Sequence, residues 1–71
     1  MPLIEVKVFK DELSNDQSAE LTSRITDAVA ETTSEKLRDV TWVIVNEVND
    51  GHWGVGGNAL SLDDVKKIMA S

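Results

Sequence analysis

Two stretches of this 71-residue chain carry residue types able to do chemistry. The first is Met1-Pro2, directly ahead of the alternating run Leu3-Ile4-Glu5-Val6-Lys7-Val8-Phe9. The second is Gly51-His52-Trp53-Gly54-Val55-Gly56-Gly57. Proline has no N–H to give a sheet, so Pro2 reads as a tolerated strand-start residue, or as the residue exposed once Met1 is removed. In the second case its nitrogen becomes a secondary amine held in one direction by the ring. An ordinary α-amino group titrates at about 7.7–8.0. Burial in an apolar site disfavours the cation and lowers that value, toward the range in which a general base works well. Phe9, Trp42 and Trp53 are the aromatic side chains available to exclude water there.

Other chemistries find less support. The glycines after Trp53 lack the lysine and hydroxyl residue of a phosphate-binding P-loop. There is no cysteine, and the single histidine, His52, cannot build a cluster, so neither a metal nor a cofactor is expected. Asp50 and Glu47 are the carboxylates nearest the glycine-rich stretch, and an aspartate beside a glycine reads first as turn chemistry.

The elements that must hold these residues follow from periodicity. In residues 2–9, Ile4, Val6 and Val8 share one face, and Leu3, Glu5, Lys7 and Phe9 share the other, which predicts a strand. Ser14 and Gln17 form a capping-box signature. Behind them Leu21, Ile25, Ala28, Val29 and Thr32 recur at helical spacing, opposite Ser18, Glu20, Asp27 and Glu31, predicting an amphipathic helix over 15–33. SEKLRD reads as a polar connection. Residues 40–48, VTWVIVNEV, are apolar on both faces, as in a strand covered on two sides. Asp50-Gly51 signals a turn, HWGVGG a short ribbon or loop, and Ser61 with Asp64 the cap of a short terminal helix whose stripe is Leu62, Val65, Ile68 and Met69. Strand, helix and strand in this order predict a βαβ unit with parallel strands and a right-handed crossover.

Composition bounds the rest. One domain spans 1–71, and a chain this short buries only about 60% of its unfolded surface. With disulfides excluded, association with other copies is the expected remedy. One sheet face and both edges would otherwise stay bare. Seven basic residues against thirteen acidic ones give a net charge of −6, which disfavours nucleic acid and anionic membranes. No apolar run approaches the roughly 20 residues of a membrane span, and the start lacks a secretory pattern, so a cytoplasmic location is expected.

Pro2 after Met1, the βαβ order and the GHWGVGG segment together resemble the 4-oxalocrotonate tautomerase family, over the chain to about Leu60. The resemblance implies an α/β (α+β) tautomerase-like unit: a parallel two-stranded sheet, a short β-hairpin and a C-terminal helix, assembled into an oligomer, commonly a hexamer of dimers. It implies that the hairpin packs on a neighbouring subunit and that Pro2, freed of Met1, is the general base of a keto–enol isomerase. Trp53 matches the family's pocket aromatic. The family prototype binds substrate carboxylates with two arginines; the corresponding positions here read Leu13, after a loop one residue longer, and Trp42. Lys10 and Arg38 are the remaining candidates to hold a carboxylate. Two alternatives stay open: a hydratase or dehalogenase of unsaturated acids with a cationic Pro2 as acid, and a non-catalytic subunit of a mixed oligomer.

Overall fold

The computed structural model describes all of residues 1–71. Strand β1 (Leu3–Phe9) is followed by helix α1 (Asn15–Thr32), a 3₁₀ helix (Glu35–Val40) and strand β2 (Trp42–Val48). Two short strands, β3 (Trp53–Val55) and β4 (Asn58–Leu60), precede helix α2 (Leu62–Ala70). β1 and β2 pair in parallel, from Leu3 opposite Trp42 to Phe9 opposite Val48. β3 and β4 pair antiparallel as a separate hairpin. The expected βαβ unit, hairpin and terminal helix are therefore all present.

Local chemistry explains the helix starts. The Ser14 hydroxyl accepts the Gln17 N–H at 3.1 Å, and the Gln17 side chain accepts the Ser14 N–H at 2.9 Å. Ser61 and Asp64 repeat the reciprocal arrangement at α2. In the loop between β1 and α1, the Glu12 carboxylate accepts the Phe9 N–H at 3.0 Å. Asp11 there takes φ 66°, a left-handed conformation that aspartate tolerates better than most residues. At the hairpin tip Gly56 and Gly57 have φ 58° and 83°. Positive φ at both central residues is the pattern of a type I′ turn, which only small or turn-forming residues accept readily.

Three expectations are corrected. The SEKLRD connection folds largely into the 3₁₀ helix, capped by the Ser34 hydroxyl accepting the Lys36 N–H at 3.2 Å. β2 consequently begins at Trp42 rather than at residue 40. The inward face of α1 is also rotated from the expected stripe. Ala30 is its buried residue, Ser18 and Asp27 are half-buried, and Ala28 and Thr32 are exposed. A small side chain at Ala30 permits close approach to the sheet, and the Ile25–Ala28–Val29 side is left looking past the β1 edge.

Only Phe9 and Ala30 are buried. The chain exposes 5357 Å², against roughly 4,400 Å² expected for a folded monomer of this mass. Its radius of gyration is 14.7 Å, where a compact chain of this length has about 11 Å. Leu3, Trp42 and Ile44 lie uncovered on the sheet face away from α1. The excess of about 1,000 Å² is the size of one partner's share of a standard interface.

Two outcomes follow. Ser14→Ala, which removes the α1 cap, lowers stability by about 1 kcal/mol in urea unfolding at fixed protein concentration. Sedimentation gives a multiple of 7.8 kDa; a lone monomer at micromolar concentration contradicts the reading of the bare surface.

Candidate active site

Pro2 sits just outside β1, where its missing N–H costs the ladder nothing. Its carbonyl accepts the Trp42 N–H at 2.9 Å, extending the parallel ladder by one bond. The residue is half-buried at the mouth of an open groove of about 500 Å³. Leu3 and Ile4 form the strand side of that groove, and Ile25, Ala28 and Val29 the helix side. Thr32 and Thr33 are its polar rim, and no charged residue lines it. Across the sheet, Leu3 and Trp42 are in register and both more than half exposed. Parallel strands start at the same end, which is why the first residue of β2 lies beside Pro2.

The other aromatic candidates lie elsewhere in the chain. Phe9 and Trp53 stack at the far end of β1, with ring centroids 5.0 Å apart and planes at 27°. Seven strand steps of about 3.3 Å separate Pro2 from Phe9, roughly 23 Å. Lys10 follows Phe9 at that same end, exposed, its N–H donated to the Val48 carbonyl at 2.9 Å. Within one chain, then, Pro2 meets Trp42 but neither Phe9, Trp53 nor Lys10.

Arg38 is already engaged. Its Nη1 donates to Asp27 Oδ1 at 2.5 Å, and Nη2 donates to both Glu35 oxygens at 3.1 Å. The hydrogen bond to Asp27, then that to Glu35, holds its pKa above the ordinary arginine range. It fastens the 3₁₀ helix to α1 beside a hydroxyl-lined hollow of about 400 Å³ formed with Thr22, Ser23, Thr26, Thr41 and Val43. Asp50 is likewise occupied, its carboxylate accepting the Leu62 N–H at 2.8 Å at the start of α2. The groove residues Ile25, Ala28 and Val29 were legible only as packing residues, and nothing in their spacing marked a second, outward use.

A family model described as "Tautomerase enzyme" matches residues 2–62. The chain belongs to the tautomerase family. Its relatives include probable tautomerase SAV1363 of Staphylococcus aureus (strain Mu50), 37% identical over 57 residues, or 80% of this chain and 90% of that protein. Probable tautomerase K2 of Dickeya dadantii is 30% identical over 61 residues, 86% of this chain and 90% of that one. The crystal structure of YwhB, a homologue of 4-oxalocrotonate tautomerase, superposes with a TM-score of 0.72 at 28% identity, covering 89% of this chain and 97% of that one. In this tautomerase-family chain all of α2 beyond Leu62 lies outside the family match.

The Arg38 contacts predict that Arg38→Met lowers the thermal midpoint by several degrees, because it unties the 3₁₀ helix from α1. Thermal unfolding read beside steady-state kinetics checks this: a raised KM at unchanged midpoint contradicts the clamp.

Proposed function

We propose that the mature chain, beginning at Pro2, is a keto–enol tautomerase of small enol or 2-oxo acids. The observation that carries the reading is the position of Pro2, at the open start of an edge strand beside an uncharged groove. While Met1 is attached, the Pro2 nitrogen is an amide without useful basicity. Its removal leaves a secondary amine. That amine takes the enol hydroxyl proton as the C=O bond forms, and the former C=C electron pair accepts a proton at carbon from the resulting ammonium. The net change is an isomerisation, and nothing else is consumed.

The reading needs a second copy of the chain. β1 has a bare edge, and two such edges pairing antiparallel would set the start of one strand against the end of the other. The partner's Phe9–Trp53 stack and the partner's Lys10 would then stand beside Pro2. Family membership supports this, since tautomerases of this kind are small oligomeric enzymes. Desolvation by the two indoles and the phenyl ring would lower the amine pKa, and Lys10 would add a positive charge acting in the same direction.

Pro2→Ala, assayed on the enol of an aromatic 2-oxo acid, is expected to lose at least about a hundredfold in kcat, the scale of a general base. A chain that retains Met1 should be equally inactive. Turnover unchanged in either protein rules the proposal out.

A further inference from the structure

Pro2 has one backbone group to bond with, its carbonyl, and gives it to the Trp42 N–H, so its place follows that of Trp42. Trp42 in turn follows the 3₁₀ helix through a single cap residue, Thr41. Thr41 is bonded back into that helix twice. Its N–H donates to the Arg38 carbonyl at 3.3 Å, and its hydroxyl to the Leu37 carbonyl at 2.8 Å. A 3₁₀ helix of six residues is long for its kind and has poor internal hydrogen-bond geometry, so its position depends on what it is tied to. Of its two cations, Lys36 is exposed and makes no ion pair, whereas Arg38 reaches α1. The guanidinium donates from Nη1 to Asp27 and from Nη2 to Glu35. Asp27 stands on the 18-residue α1, the longest element of the chain, whose start is fixed by the Ser14–Gln17 capping box. Bonds therefore run without a break from the body of α1 to Pro2.

We infer that Arg38 is a positioning residue for the proposed base: its bridge from Asp27 to the 3₁₀ helix sets where Trp42 begins β2, and so where the Pro2 nitrogen stands. This deepens the proposed tautomerase reading and rests on it. Arg38 does not line the groove at Pro2; it borders the hydroxyl-lined hollow on a different face of α1. It therefore acts through the backbone rather than on a substrate. A planar guanidinium suits the task, because its fork holds two carboxylates at once where an ammonium is a single point charge. Without the bridge, Asp27 and Glu35 lose their shared partner and the segment through Thr41 is free to shift. β2 stays paired with β1 along its length, which confines the disturbance to the strand start. That small shift matters because a base must stand within hydrogen-bond reach of the proton it takes, and a misplacement of about 1 Å costs on the order of a hundredfold in rate.

The test uses the mature chain and the enol of the same aromatic 2-oxo acid, at a temperature at which circular dichroism shows each variant folded. Arg38→Met should lower kcat about tenfold and leave KM within about twofold, because a misplaced base costs rate rather than binding. In the same variant the Trp42 backbone amide should exchange its hydrogen about tenfold faster, while amides in the middle of α1 keep their protection. Arg24→Met removes an equal charge from the exposed pair with Glu20 elsewhere on α1, and should change neither quantity. Arg38→Lys keeps the charge and one carboxylate bond, and should fall between the unmodified chain and Arg38→Met. Asp27→Ala, which breaks the bridge from the other side, should match Arg38→Met, and it carries the test should that variant not fold. Combining the two should cost no more than either alone. An unchanged kcat, a loss shared by Arg24→Met, or a loss with the Trp42 amide still protected overturns the inference. So does a raised KM with kcat kept, which would put Arg38 on the substrate. Turnover retained by Pro2→Ala sinks the tautomerase reading itself, so the two failures are distinguishable.

Discussion

A single backbone hydrogen bond, from the Trp42 N–H to the Pro2 carbonyl, extends the β1–β2 ladder to Pro2 and sets that residue beside the start of β2. Proline has only that one backbone group to offer, because its nitrogen carries no hydrogen. Spending the carbonyl on the ladder holds the ring at a defined place while leaving the nitrogen unneeded by the sheet. The same bond puts the first residue of β2 beside Pro2, so under the proposed reading the identity of residue 42 bears on what can approach. An aromatic there offers an apolar surface, where a cation would attract anions.

The second constraint is length. A seven-residue strand is too long for its two ends to share one small pocket. Pro2 and Trp42 lie at one end, and Phe9, Trp53 and Lys10 at the other. The chain also exposes apolar residues at its sheet face and edge that water would penalise. Under the proposed reading both problems would have the same physical solution, a second copy whose strand runs the opposite way. Covering the bare edge would then be the act that brings the two halves of the site together, coupling assembly to activity. Helix α2, beyond the family match and still showing Ile68 and Met69 to solvent, adds apolar surface to the same chain.

Much of the fold was legible because its signals are local. Ser14 with Gln17 and Ser61 with Asp64 are each three residues apart, and both folded into capping boxes. Paired glycines at 56 and 57 likewise turned the ribbon into a hairpin. Less legible were features set by packing. The face of α1 that turns inward depends on where Ala30 meets the sheet, and the Arg38 clamp depends on Asp27, eleven residues back in the sequence. That Trp42 meets Pro2 was readable from parallel pairing, which aligns strand starts. The separation of Trp53 and Phe9 from Pro2 was readable from the same rule, and the apparent aromatic cluster in the sequence concealed it.

The decisive quantity is the acidity of the Pro2 nitrogen. A ¹⁵N NMR titration of the assembled, Met1-free protein reads it directly. A value at or below neutrality, beneath the roughly 7.7–8.0 of an ordinary terminal amine, is what a desolvated base next to Trp42 requires. A nitrogen that stays protonated well above pH 8, or one that does not titrate because it remains an amide, contradicts the account.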